Sequence, residues 1–270
     1  AGGGDNDKIT LNPDAALMGQ VRIFGAGGDD EIIVDTLQSL DYANKLDGGV
    51  PVDGRDEIPN RFVVKLDGER GSDSYFVKLT GNTDYLIDIH DSGAEQAAGV
   101  ASASGSEHEM ADVTDGRDQL FISGTGGDDT FLVREKFVAM LQVASGIPGD
   151  SDAVFEPTYE RINYDESINA RLHVDGLAGE DYFFVDDNSS ITTLDGGADD
   201  DFFQVGQVFG VQPTVANGLF EDIEHSEITL GFLTNGISFP TTIYGGDGED
   251  QFSVYSNKAA LKLFGEDDGD

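Results

Sequence analysis

The stretch Gly245–Val254 reads G-G-D-G-E-D-Q-F-S-V, and it decides the fold because it joins a tight turn directly to a strand. Its first six residues, numbered here as slots one to six, are all glycine or carboxylate residues. Glycine reaches backbone conformations with φ > 0, which bend the chain sharply and turn carbonyl groups toward a common point. Phe252 and Val254, in slots eight and ten, alternate with a polar residue and share one face of a predicted strand.

The same pattern recurs along the chain, with glycine in slot one, aspartate in slot six and apolar residues in slots eight and ten. Complete copies begin at Gly2, Gly25, Gly68, Gly124, Gly176, Gly196 and Gly245, with slot-six residues Asp7, Asp30, Asp73, Asp129, Asp181, Asp201 and Asp250. A further copy begins at Gly265 and reaches slot six at Asp270. Such self-similarity predicts one elongated domain over 1–270, because a repeat array has no internal boundary.

These residues resemble the repeat-in-toxin (RTX, haemolysin-type) calcium-binding repeat, G-G-x-G-x-D-x-U-x, in which U is a large apolar residue. The resemblance implies an all-β, right-handed parallel β-helix or β-roll whose turns bind several Ca²⁺ ions through backbone carbonyls and the slot-six aspartate. The residues it assigns to the metal are Asp7, Gly25, Asp29, Asp30, Gly68, Asp73, Gly124, Asp128, Asp129, Gly176, Asp181, Gly196, Asp199, Asp201, Gly245, Asp247, Asp250, Asp268 and Asp270.

The spacing of the copies departs from the short, strict repeat of that family. Consecutive copies start 23, 43, 56, 52, 20, 49 and 20 residues apart. The shortest intervals fit one coil each. The longer ones predict loop insertions, at about 35–62, 91–117, 134–160 and 206–236, or coils without the motif. Residues 137–143 suit either a strand or a short amphipathic helix. This spacing favours a wide parallel β-helix with one ion-binding corner.

The charge of the chain also points to cations. The formal net charge is −38, from 53 acidic and 15 basic residues. Such a charge repels itself and opposes binding to nucleic acid or anionic membranes. Because many of the acids cluster in glycine turns, we expect folding to be coupled to metal binding.

Cysteine is absent, which excludes a disulfide framework and thiolate zinc sites. No apolar run approaches the length of a membrane span. The chain begins and ends inside a repeat, which predicts a piece of a longer secreted or cell-surface bacterial protein. The expected partners are calcium, neighbouring repeats of a larger chain or other copies stacked head-to-tail, and surface glycans.

We predict a structural, non-enzymatic role: a calcium-binding stalk, adhesin or matrix and filament component that folds when Ca²⁺ binds. Two alternatives stay open. One is a carbohydrate-active β-helix enzyme of the lyase or epimerase type, with Tyr159, Arg161, Tyr164 and Arg171 in a groove. The other is a glycan-binding adhesin module. The simplest alternative for the motif itself is a set of ordinary aspartate–glycine turns without ions.

Overall fold

The computed structural model describes most of the motif copies. It covers residues 4–12, 21–37, 46–47, 50–51, 63–81, 85–93, 116–150, 152–209, 225–229 and 231–267. Gly2, Asp268 and Asp270 lie outside the described residues, as does much of the insertions predicted at 35–62, 91–117 and 206–236. No helix long and apolar enough to cross a membrane occurs in the described ranges.

The regular elements of the described residues are strands, which confirms the predicted all-β class. In chain order they are β1 (Lys8–Leu11), β2 (Val21–Gly27), β3 (Glu31–Val34), β4 (Leu46–Asp47), β5 (Val50–Pro51), β6 (Val63–Arg70), β7 (Ser74–Lys78), β8 (Tyr85–Ile89), β9 (Gln119–Ser123), β10 (Thr130–Arg134) and β11 (Phe137–Ser145). They continue with β12 (Val154–Asn163), β13 (Arg171–Asp175), β14 (Tyr182–Val185), β15 (Thr192–Ala198), β16 (Phe202–Val205), β17 (Ser226–Ile228), β18 (Gly231–Leu233), β19 (Thr241–Asp247), β20 (Gln251–Val254) and β21 (Leu261–Asp267).

Most strands belong to two large sheets, and the chain passes repeatedly from one sheet to the other. The first sheet has the order β1-β3-β7-β9-β13-β15-β19-β21, with all neighbours parallel. The second has the order β2-β6-β8-β12-β11-β10-β14-β16-β20. Strand β11 is antiparallel to β10 and β12, and the other neighbours are parallel. Equivalent residues of neighbouring motif copies therefore lie side by side.

The main hydrophobic core lies between the two sheets, because alternate residues of each strand point inward. Ile32 and Leu120 enter it from the first sheet, and Leu66 and Ile87 from the second. A smaller cluster lies on the opposite face of the second sheet and contains Leu132, Phe137, Ala139 and Phe184.

Slot-eight phenylalanines form a continuous stack within the main core. The ring centroids of Phe131 and Phe183 are 4.8 Å apart, those of Phe183 and Phe203 are 4.7 Å apart, and those of Phe203 and Phe252 are 5.2 Å apart. The separations match the spacing of neighbouring strands (~4.8 Å), so strand pairing itself brings the rings into contact.

The insertion predicted at 134–160 joins the second sheet. Its first part forms β11, so the ambiguous segment is a strand and not a helix. Together β11 and β12 make an antiparallel pair with a register shift between Leu141 and Val143. Within 206–236, β17 and β18 form a separate antiparallel pair.

The motif copies lie at two edges of the sheet pair, so the expectation of a single turn-bearing corner is wrong. Turns beginning at Gly25 and Gly68 lead from the second sheet into the first. Turns beginning at Gly124, Gly176, Gly196 and Gly245 lead from the first sheet into the second. We call these the first corner and the second corner. The physical reason for the two corners is that the same turn sequence can carry the chain out of either sheet.

The stack predicts a large effect of truncating its buried member Phe203, which is 0% exposed. We expect Phe203→Ala to lower the free energy of unfolding by about 3–5 kcal/mol, because it leaves a cavity between two rings. The control Phe239→Ala removes a side chain from a residue that is 43% exposed. It should cost less than about 0.5 kcal/mol. Denaturant unfolding followed by circular dichroism measures both, and equal losses would contradict the stacked core.

Candidate metal centre

The slot-six aspartates lie inside the protein although each carries a carboxylate. Their exposed fractions are 2% for Asp30, 0% for Asp73, 5% for Asp129, 0% for Asp181, 2% for Asp201 and 8% for Asp250. Asp7, in the first described turn, is half-buried. Burying a carboxylate is costly unless it is paired or hydrogen-bonded, so the contacts of these side chains decide what the turns can do.

At the first corner, the slot-six residues are joined by a ladder of hydrogen bonds between neighbouring turns. The backbone N–H of Asp7 donates to Asp30 Oδ1 at 2.7 Å, and that of Asp30 donates to Asp73 Oδ1 at 2.7 Å. The ladder continues from Asp73 N–H to Asp118 Oδ1 at 2.8 Å, and from Asp118 N–H to Asn169 Oδ1 at 3.1 Å. An asparagine therefore takes the last position.

The second corner repeats the arrangement with its own aspartates. The N–H of Asp129 donates to Asp181 Oδ1 at 2.8 Å, and that of Asp181 donates to Asp201 Oδ1 at 2.8 Å. The N–H of Asp201 donates to Asp250 Oδ1 at 2.9 Å. Each carboxylate thus uses one oxygen to satisfy a backbone donor of the preceding turn, a charge-assisted hydrogen bond.

Glycine in slot one makes room for the other carboxylate oxygen. A Cβ on Gly25 would lie 2.0 Å from Asp30 Oδ2 and 2.6 Å from the carbonyl oxygen of Gly68. A Cβ on Gly196 would lie 2.0 Å from Asp201 Oδ2 and 2.5 Å from the carbonyl oxygen of Gly245. The glycine is required here by close approach, since neither residue has a positive φ.

Four of these second oxygens are buried without a hydrogen-bond partner: Oδ2 of Asp30, Asp73, Asp181 and Asp201. In several copies, a carbonyl oxygen of the next turn lies beside the slot-one glycine. A carbonyl oxygen accepts hydrogen bonds and does not donate them. A proton on the carboxyl group or a bound cation reconciles two such oxygens. In the Gly124 copy, by contrast, Thr125 N–H donates to Asp129 Oδ2 at 2.6 Å.

Burial raises the pKa of four slot-six carboxyl groups. The pKa of Asp73 is raised to about 8, mainly by burial and in part by the carboxylates of Asp91, Asp118 and Asp30. Burial raises the pKa of Asp181 to about 8, with Asp129 and Asp201 adding to the effect. The pKa values of Asp201, about 7, and Asp129, about 6, are raised mainly by burial as well.

The other predicted acidic ligands lie at the surface of the turns. Asp29 Oδ1 accepts a hydrogen bond from Ser72 N–H at 2.9 Å, and Asp128 Oδ1 accepts one from Glu180 N–H at 3.1 Å. Asp199 and Asp247 are exposed, and Asp199 has a φ of 78°. Their exposure to solvent distinguishes them from the buried slot-six carboxylates.

One cluster of buried carboxylates contains residues that the motif search missed. Asp73, Asp91 and Asp118 each offer an oxygen within 4.8 Å of the others, and they are 0%, 2% and 0% exposed. These three residues could hold a metal ion. Gly116, Asp118, Leu120 and Ile122 reproduce slots four, six, eight and ten, so a search that did not require glycine in slot one would have found Asp118. No sequence signal singles out Asp91.

Three of the four residues suggested for an enzyme groove contact other strands of the sheets. The Arg161 guanidinium lies 3.8 Å from the centre of the Phe137 ring. Tyr164 donates its hydroxyl to the carbonyl oxygen of Arg134 at 2.7 Å, and Arg171 donates to Thr193 Oγ1 at 3.0 Å.

Comparison with known proteins assigns no family, since no family model, no curated protein and no solved structure matches the chain. Any functional assignment therefore rests on the arrangement of the chain's own residues.

The close approach at slot one gives a direct test. Gly196→Ala should lower the free energy of unfolding by about 3 kcal/mol, because the new methyl group collides with Asp201 Oδ2 and a backbone carbonyl. The control Gly126→Ala changes a glycine with no atom within 4 Å of the added Cβ. Urea unfolding should separate the two variants, and equal effects would show that the crowded geometry is wrong.

The raised pKa values predict an unusual pH dependence in cation-free protein. A carboxyl group whose pKa is higher in the folded state, about 6 to 8 here, than in the unfolded state stabilises the fold at low pH. That stabilisation is complete below about pH 4 and is lost as the pH rises through about 6 to 8. Urea midpoints in metal-free buffer should therefore fall over this range, and a rise would contradict the buried geometry.

Proposed function

We propose that this chain is a calcium-binding structural segment of a secreted or cell-surface bacterial protein. The observation that carries the proposal is the set of buried carboxylate oxygens, on Asp30, Asp73, Asp181 and Asp201, that have no hydrogen-bond partner. Bound Ca²⁺ would neutralise these groups, and it would give the ladders the positive charge that the surrounding protein side chains do not supply.

Like charges stacked in the interior are what make a cation necessary. Neighbouring strands place the slot-six carboxylates of one corner roughly 4.8 Å apart along the sheet. Repulsion at that separation grows as water is excluded, because the effective dielectric constant falls. In the ionised state, each ladder is therefore unfavourable without a counter-ion.

The chemistry of the turns favours a hard cation over a soft one. The ligand atoms that the glycine and aspartate residues of the motif offer are carbonyl and carboxylate oxygens, and the chain has no cysteine. Ca²⁺ accepts a variable number of oxygen ligands, and extracellular modules bind it when the calcium concentration is millimolar. In our proposal, slot-six carboxylates and backbone carbonyls hold the ions, and folding follows their binding.

The passage of the chain between two parallel sheets supports a solenoid of the parallel β-helix or β-roll type. The resemblance to RTX repeats supports the same architecture and a right-handed course. Within the described residues, β1 and β21 are the edge strands of the first sheet, and β2 and β20 those of the second. Neighbouring repeats of a larger chain, or further copies, would add strands there and make a stalk or filament.

Replacing an aspartate by asparagine distinguishes neutralisation of the carboxylate by a cation from neutralisation by a proton. Asp181→Asn keeps the Oδ1 acceptor for Asp129 N–H and removes the charge. We expect its calcium-dependent gain in stability to be smaller by about 2.7 kcal/mol when the free calcium concentration is a hundredfold above Kd. Denaturant unfolding in chelator, in Ca²⁺ and in Mg²⁺ measures this gain.

A matched control is Glu135→Gln, which removes a negative charge at an exposed residue between β10 and β11. It should leave the calcium-dependent gain unchanged. Equal stability of the parent chain with chelator and with Ca²⁺ at pH 8 would refute the proposal and favour plain aspartate–glycine turns. An unchanged gain in Asp181→Asn would remove Asp181 from the calcium sites.

A further inference from the structure

The three-carboxylate cluster lies between the end of β8 and the beginning of β9. Asp91 follows β8, and Asp118 directly precedes β9, so the two residues bracket 92–117. Asp73 belongs to the neighbouring turn of the first corner. The cluster therefore joins three points that are far apart in sequence.

Strand register explains why three carboxylates meet here and not at the other turns of this corner. The pairing of Phe24 with Asp67 puts Gly25 level with Gly68. The pairing of Leu66 with Ile89, continued by two residues, puts Asp91 level with Gly68. Asp91 therefore takes the slot-one position, in which the other turns have glycine, and it adds a carboxylate to that row.

The Asp73 side chain points into the same row. A Cβ on Gly68 would lie 2.2 Å from Asp73 Oδ2, so this oxygen faces the line of slot-one residues. This oxygen is fully buried, has no hydrogen-bond partner and is directed at two further carboxylates. It is therefore an independent indication that a ligand binds between the three carboxylates.

Hydrogen bonds hold Asp91 in position. Tyr75 donates its hydroxyl to Asp91 Oδ2 at 2.8 Å and accepts a hydrogen bond from Gly68 N–H at 2.6 Å. The N–H of Gly93 donates to Asp91 Oδ1 at 3.2 Å. Outer partners of this kind orient metal-binding carboxylates in proteins.

We propose that Asp73, Asp91 and Asp118 form a site for one hard divalent cation of the Ca²⁺ type, which joins the end of β8 to the beginning of β9. The site rests on the proposed function for its choice of cation, but it lies partly outside the glycine–aspartate motif. Three buried carboxylates supply the charge and part of the ligand set, and Ca²⁺ completes its coordination with further oxygens. Binding Asp91 and Asp118 to one ion offsets the entropy cost of bringing two points that are far apart in sequence together.

The chain offers a spectroscopic probe of this site. It contains no tryptophan, so ultraviolet excitation of a bound lanthanide depends on tyrosine. Tb³⁺, which prefers oxygen ligands as Ca²⁺ does, should emit after energy transfer from Tyr75, whose hydroxyl contacts Asp91. We expect a component of emission that is lost in Tyr75→Phe. The number of Tb³⁺ ions bound at saturation, measured by equilibrium dialysis, should stay the same because the three carboxylates remain.

Removing the carboxylate at position 91 completes the test. Asp91→Gly gives this position the residue that the same row has at Gly25 and Gly68, so the fold accommodates it. We expect it to lose the Tyr75-dependent emission and one bound ion per chain. Asp201→Asn, at the second corner, should keep that emission.

Two results would overturn the site: no Tyr75-dependent emission in the parent chain, or full emission and an unchanged ion count in Asp91→Gly. Either result leaves the calcium dependence of unfolding, tested at Asp181, untouched. Conversely, a chain that shows the Tyr75-dependent component but gains no stability from Ca²⁺ would retain this site and lose the proposed function.

Discussion

The structure depends on one repeated hydrogen bond, from the N–H of a slot-six residue to the Oδ1 atom in slot six of the neighbouring turn. Because this bond draws the carboxylate inside, its second oxygen comes against the slot-one residue of its own turn. Only glycine leaves space for it, since a Cβ on Gly25 would come within 2.0 Å of Asp30 Oδ2. One contact thus accounts for both the glycine and the aspartate of the motif.

Much of the fold was predictable because the alternation of apolar residues after each turn is regular. Apolar residues in slots eight and ten place their strands correctly, and in the second half of the chain the slot-eight phenylalanines such as Phe183 and Phe203 meet in one stack. Adjacent copies were expected to lie in neighbouring passes of the chain, and Thr192 pairs with Thr241 across a 49-residue gap. Long gaps between these copies are therefore insertions within one pass.

The choice of corner was not predictable from the motif. Strand β9 has a slot-six aspartate before it, Asp118, and a slot-one glycine after it, Gly124, so the turns change corners across this strand. Both corners use the same turn residues, and nothing in the turn encodes the sheet that the chain is leaving. Asp91 escaped prediction for a related reason, because its position depends on the register between β6 and β8 and not on local sequence.

Asn169 shows what the ladder requires for folding alone. Its Oδ1 accepts the N–H of Asp118 at 3.1 Å, as the aspartates do for their neighbours. Its Nδ2 atom donates to the carbonyl oxygen of Gly116 at 3.2 Å, so both ends of the amide are satisfied. An amide at this exposed position is therefore sufficient for the backbone bond. The carboxylates of Asp30, Asp181 and Asp201 carry a second, buried oxygen beyond that bond, and it is this oxygen that the proposed Ca²⁺ would neutralise.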